Sequence, residues 1–149
     1  MSQTKASAKD VAMLNMKNME VLLFDNRNDQ SLMIKEMLKQ IGCRVSPVMI
    51  KHDCLAKLIN GRYDLVLFDH SIPGLDVTGF VNQLEIIDRC MSVAMMVTLP
   101  SRFYEGKYGC SGIDYLIFKP FGYEELLLLV REAFQSSLKL KKIILNKWE

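Results

Sequence analysis

The sequence predicts an α/β domain built on a parallel sheet, and three observations predict it. Four short apolar runs, at residues 21–24, 65–68, 93–97 and 115–118, show no polar–apolar alternation. Runs of this kind read as strands buried on both faces, as in a parallel sheet covered by helices. Between them lie segments with apolar residues at helical spacing, so strand and helix alternate five times along the chain, the pattern of right-handed crossovers. Each run also ends on a polar residue: Asp25-Asn26, Asp69, Thr98 and Lys119-Pro120. Ligands of open parallel sheets bind outside the carboxyl ends of the strands. Two carboxylates, an amide, a hydroxyl and an ammonium should therefore converge on one edge, a set suited to phosphoryl chemistry.

Taken in order, residues 1–18 are polar with scattered Met and read as a flexible N-terminal arm. The first strand runs into Asp25. Leu32, Leu38 and Ile41 then give helical spacing, and Gly42 stands where a C-terminal cap belongs. A weaker strand near 44–49 leads to a helix with Leu55, Leu58 and Ile59 on one face, ended by Asn60-Gly61. The strand into Asp69 is followed by the loop Ser71-Ile72-Pro73-Gly74, then by a helix marked by Phe80, Leu84 and Ile87. After the strand into Thr98, segment 100–112 carries Pro100, Gly106, Gly109 and Gly112. A Gly costs about 1 kcal/mol relative to Ala inside a helix, so a short or irregular helix is expected there. The strand into Lys119 precedes a long final helix from about Gly122.

Composition narrows the function classes. At 149 residues, half of them hydrophobic, the chain is expected to be one globular domain with a substantial core. Its 19 basic and 17 acidic residues are too balanced for a nucleic-acid surface. No apolar stretch approaches the roughly 20 residues of a membrane helix, and Asn15, Lys17 and Asn18 interrupt any signal-peptide core. Cys43, Cys54, Cys90 and Cys110 lack metal-ligand spacing and read as small hydrophobes in a reduced, cytoplasmic setting.

The ordered set Asp25-Asn26, Asp69 with Ile72-Pro73-Gly74-Leu75-Asp76, Thr98, and Lys119-Pro120-Phe121 resembles the receiver domain of two-component response regulators. Asp69 stands 29 positions before Thr98 and 50 before Lys119, separations similar to the family's. The resemblance covers residues 19–138 and implies a flavodoxin-like (βα)5 fold, a doubly wound five-stranded parallel sheet in the order 2-1-3-4-5. It implies that Asp69 is the phosphoacceptor, with Thr98 and Lys119 completing the catalytic set. Asp25, Asn26, Asp69 and the Ser71 backbone carbonyl would hold Mg²⁺, whose charge an aspartate needs when it approaches a phosphoryl group. The implied partner is a histidine kinase or a phosphotransfer protein. Such a domain is not an enzyme in the ordinary sense, since it catalyses only its own phosphotransfer and dephosphorylation.

Several positions depart from the family pattern. Asn26 stands where a second acidic residue is usual, leaving two carboxylates where three are expected. Leu99 and Pro100 follow Thr98 in place of a small residue, and Val77 replaces a usual Gly. The aromatic switch residue of the fifth strand normally lies three before the lysine, where this chain has Leu116, with Tyr115 one earlier. A one-residue shift turns a strand side chain to the other face. Either a bulge restores Tyr115, or the Thr–Tyr coupling is absent.

His70 reads as a loop histidine beside the site and His52 as a surface residue near a helix start, while the ten methionines read as gap-filling core. Residues 139–149 extend the last helix beyond the usual end, with Phe134, Leu138, Leu145 and Trp148 at heptad-like intervals broken by Lys141. This extension is either a linker stub toward another domain or a helix that forms a homodimer. A degenerate receiver serving only as a protein-interaction module is the main alternative function. A flavin- or nucleotide-binding protein on the same fold would need a Gly-rich loop where Asp25-Asn26-Arg27-Asn28 stands.

Overall fold

The computed structural model describes residues 18–98 and 112–147, with side chains as far as Ser136 in the last helix. Its elements are β1 (Glu20–Phe24), α1 (Asn28–Ile41), β2 (Arg44–Val48), α2 (Lys51–Asn60), β3 (Leu65–Asp69), α3 (Val77–Ile87), β4 (Ser92–Thr98), β5 (Tyr115–Lys119) and α4 (Tyr123–Lys147). All strand pairs are parallel, in the order β2-β1-β3-β4-β5. The doubly wound sheet and its order are those expected from the sequence.

The central strands are apolar throughout because both faces are covered. Val21 and Leu23 of β1, Leu65 and Leu67 of β3, Ala94 and Met96 of β4 and Ile117 of β5 pack against α1 and α4. The alternate residues Leu22, Phe24, Val66, Phe68, Val93, Met95 and Val97 pack against α2 and α3. Period-2 geometry then decides where the strand-end polar residues go. Asp25, Asp69, Thr98 and Lys119 all carry the parity of the first set, so all four belong to the α1/α4 face at the carboxyl edge. Below two of them, Phe80 of α3 makes edge-to-face contacts with Phe24 and Phe68, at centroid distances of 5.4 and 5.1 Å. Those rings immediately precede Asp25 and Asp69, so one buried side chain fixes both carboxylate-bearing strand ends.

At the sheet edge, β2 contains Pro47, a residue without an N–H that edge strands tolerate. Gly42 caps α1 in the left-handed conformation at φ 111°, its N–H donating to Leu38 and Lys39 carbonyls, as expected. Gly112 also needs a positive φ, 83°, and a Cβ there would meet Glu85 and lie 2.8 Å from the Val81 side chain.

Two helix faces differ from the sequence expectation. Leu32 is exposed, and the buried stripe of α1 is Ser31, Ile34, Leu38 and Ile41. Ile59 is exposed as well, with Cys54 and Leu58 turned inward. In both helices the bulky residue lies one step off the buried stripe, and at 100° per residue neighbours fall on different faces. The N-terminal arm apart from Asn18, Leu99, Pro100, the irregular helix expected in 100–112 apart from Gly112, and Trp148 lie outside the described residues. The final helix runs on to Lys147 as one element, with no break near Ser136.

Candidate functional site

Register fixes the layout of the carboxyl edge. Phe24 pairs with Phe68, so Asp25 lies beside Asp69 on the neighbouring strand, where strands are about 4.8 Å apart. Asp69 pairs with Met96, Met96 with Ile117, and Thr98 with Lys119. Thr98 and Lys119 therefore stand two residues beyond the level of Asp69, roughly 7 Å further out at 3.3 Å per residue. The long Lys119 side chain spans that step and its ammonium donates to Asp69 Oδ2.

The two carboxylates are both buried and are treated very differently. Asp69 is 1% exposed. Its Oδ1 accepts from the Ser71 backbone N–H at 2.7 Å and from the Ser71 hydroxyl at 2.6 Å. Burial pushes the Asp69 carboxyl up, but the Lys119 ammonium and the two Ser71 donors outweigh it and hold the group below the usual carboxylate range. Asp25 is fully buried. Its Oδ1 accepts from the Arg27 N–H at 3.0 Å and its Oδ2 from the Gln30 amide at 3.3 Å. Here burial wins. It raises the Asp25 carboxyl, the Arg27 hydrogen bond only partly offsets it, and the Asp69 charge raises it further.

His70 is held against β4, its Nδ1 lying 3.0 Å from the Met96 carbonyl oxygen and 3.7 Å from Asp69 Oδ1. Thr98 is exposed, and with Lys119 it borders an open groove of about 550 Å³ that also meets Arg27, Gln30, Met33 and Phe121. Asn26 is half-buried in the turn after Asp25. Sequence reasoning missed two contacts of the site, the Gln30 amide and the Ser71 hydroxyl. The second had a signal, because a Ser two residues after an Asp in a turn commonly bonds back to it.

The donors suit a hard cation. Among the described residues no three His, Cys, Asp or Glu side chains form a metal-holding group. Two carboxylates, supplemented by the Asn26 amide and the Ser71 carbonyl, make an all-oxygen set that would leave several positions to water, as Mg²⁺ prefers. The raised Asp25 carboxyl is the observation that fits it: a buried charge pushed up by burial and by a neighbouring carboxylate is one that a cation would stabilise.

A sequence model of the response regulator receiver domain matches residues 21–131. The chain belongs to that family. It is 28% identical over 123 residues to hybrid signal transduction histidine kinase L of Dictyostelium discoideum, an alignment covering 76% of this chain but 7% of that protein. The CheY-like receiver domain from Methanospirillum hungatei JF-1 superposes with a TM-score of 0.74 at 23% identity, over 81% of this chain and 97% of the other. The receiver domain of a Pseudomonas aeruginosa sensor histidine kinase, whose structure holds a magnesium ion in the active-site cleft, gives 0.68 at 21%, over 79% and 98%. The protein is thus a receiver domain of two-component signalling with the flavodoxin-like fold. No helix among its described residues is long and apolar enough to cross a membrane.

This receiver resolves the question of its aromatic residue. β5 pairs with β4 without a bulge from Tyr115 to Lys119. Tyr115 therefore shares the face of Ile117 and Lys119, packs against the α1/α4 core, and its hydroxyl lies 3.0 Å from the Ser136 hydroxyl of α4. Leu116 and Phe118 occupy the other face and are 39% and 42% exposed. A Thr98–Tyr115 coupling is absent from this arrangement, because the two side chains sit four residues apart in register and Tyr115 is tied to α4.

Proposed function

We propose that this receiver takes a phosphoryl group onto Asp69 from the phosphohistidine of a histidine kinase or a phosphotransfer protein, with Mg²⁺ held by Asp25, Asn26, Asp69 and the Ser71 carbonyl. The observation that carries the reading is the Lys119–Asp69 ion pair, placed by strand register beside Thr98 at the carboxyl edge. A bound Mg²⁺ would supply positive charge where carboxylate and phosphoryl oxygens meet. An Asp69 oxygen donates its electron pair to phosphorus, the P–N bond of the phosphohistidine breaks, and the leaving imidazole nitrogen keeps that pair and takes a proton from solvent. Lys119, a compact charge with three donors, stays near Asp69 while reaching a phosphoryl oxygen. Thr98, exposed on the groove side, donates its hydroxyl to another. Hydrolysis of the acyl phosphate is the only other reaction the domain carries out.

Acetyl phosphate with Mg²⁺ should add one acid-labile phosphoryl group, read by intact mass, and Asp69→Asn should abolish it with the fold intact. No adduct after long incubation at high Mg²⁺ would overturn the proposal. A second reading, a phosphorylation-independent interaction module, is favoured by the two-carboxylate site and Asn26, and that negative result would select it. The long α4 is either a linker toward another domain or a homodimer helix, and sedimentation with and without acetyl phosphate separates the two.

A further inference from the structure

Helix α4 is longer than the sheet it covers. It leaves the carboxyl edge at Tyr123 and runs back along β5 as far as Ser136, whose hydroxyl lies 3.0 Å from that of Tyr115, the first residue of β5. Among the described side chains, the last that pack on the core are Ala133 and Phe134. The helix nevertheless continues to Lys147. Residues 137–147 therefore add about 16 Å of helix beyond the level of Tyr115, at 1.5 Å per residue. That is the amino edge of the sheet, the opposite end from Asp69 and Lys119.

The composition of this stretch differs from the rest of the chain. It holds Leu138, Leu140, Ile143, Ile144 and Leu145, with Lys139, Lys141, Lys142 and Lys147, and no Asp or Glu. Of the chain's 19 basic residues these four lie here, so 15 remain against 17 acidic ones, a net charge of −2 for the rest of the protein. At 100° per residue the five aliphatic positions span an arc of about 220°, wider than the seam of a helix pair. Lys139 and Lys142 fall in the gap with Asn146, and Lys141 and Lys147 fall within the arc. A second copy is a poor occupant of such a face. With no acidic residue in the stretch, every pairing of two copies, parallel or antiparallel, sets lysine against lysine. A linker would not need this composition. An anionic lipid surface answers both properties: its headgroups attract every lysine, long lysine stems can cross apolar surface to reach them, and the acyl boundary accepts a broad apolar face.

We propose that residues 137–147 of α4 dock on an anionic membrane surface, lying on it without crossing it. The receiver body, net negative, then stands off from the lipid, with its carboxyl edge turned toward the soluble partner. This inference rests on the length of α4 and the charge distribution, and it stands apart from the phosphoacceptor reading.

The experiment mixes the full chain with vesicles of phosphatidylcholine, alone or with a third phosphatidylserine. Binding is read by co-sedimentation and by the fluorescence of Trp148, the chain's single Trp, which follows directly on the stretch. The expected result is binding to the anionic vesicles with a blue-shifted emission, little binding to the neutral ones, and weakening by salt. Lys139→Gln combined with Lys142→Gln should weaken binding about fivefold for each lysine, about thirtyfold together, with thermal unfolding unchanged. No binding, equal binding to neutral vesicles, or full binding by the double variant overturns the proposal. So does a chain that ignores the vesicles but forms a concentration-dependent dimer in sedimentation, which assigns the helix to a second copy. Binding to polyglutamate without binding to vesicles overturns it in favour of an acidic protein partner.

Discussion

Asp25 and Asp69 occupy neighbouring strand ends, face the same layer and are equally hidden from water, yet burial raises one carboxyl and fails to raise the other. The difference lies in their partners. Asp69 receives an ammonium and two hydrogen bonds through short, direct contacts. Asp25 receives one backbone N–H and one long amide contact. A buried charge is stable only when its environment replaces the water it lost. One end of the pair is therefore neutralised by the protein, and the other is only partly compensated.

The largest effect should come from breaking the neutralised end. Lys119→Ala strands the Asp69 charge in a site that is 1% exposed, and removing one partner of a buried pair typically costs about 3 kcal/mol or more. Urea unfolding at neutral pH should show that loss, and the Asp69 carboxyl, followed by NMR, should move up. Unchanged stability would mean that the Ser71 donors alone hold the charge.

Next in size is the opposite change at the other end. Asp25→Asn keeps an oxygen acceptor for the Arg27 N–H and removes an undercompensated charge, so metal-free stability should rise by about 1 kcal/mol while Mg²⁺ binding falls sharply. The pH dependence separates the two groups. The Asp25 carboxyl is raised in the fold, so any stability it contributes is present at low pH and is lost as pH climbs past the usual carboxylate range toward its folded value. The Asp69 carboxyl is depressed, so its contribution is present above the usual value near 3.8 and is lost as pH falls below it. The advantage of Asp25→Asn over wild type should therefore shrink as solutions become acidic. An advantage that grows on acidification would reverse the assignment.

Asn26→Asp sharpens the comparison by adding a third carboxylate next to the undercompensated one. Mg²⁺ affinity should rise several-fold and metal-free stability should fall by under 1 kcal/mol, since like charges crowd at the strand ends. Equal Mg²⁺ affinities for the two proteins would show that the amide serves as well as a carboxylate. The smallest effect belongs to Tyr115→Phe, at the far end of β5 from Lys119. Losing its contact with Ser136 should cost about 1 kcal/mol or less and leave Mg²⁺ affinity untouched. A change in that affinity would reveal coupling along β5 that the register does not suggest.

The receiver fold was legible because its signals are local and redundant. Each central strand is apolar throughout, and each ends on the residue that marks the edge, so composition, period and position agree. The face of a helix was less legible. Leu32 and Ile59 looked like core because they are large and apolar, and the stripes proved to include Ser31 and Cys54 instead. Hydrophobicity shows how much a residue gains from burial, but a neighbouring element decides which side of the helix it meets.

The sequence by itself determined the doubly wound parallel sheet and the gathering of Asp25, Asp69, Thr98 and Lys119 at its carboxyl edge, because strand period and strand ends are written within a few consecutive positions. Only the tertiary structure decided that Tyr115 ties to Ser136, that the Ser71 hydroxyl donates to Asp69 Oδ1, and that two equally buried carboxylates shift in opposite directions. Those outcomes depend on contacts between groups brought together across strands and loops, and the free energy of a buried charge is set by what stands within a few ångströms of it rather than by its place in the chain.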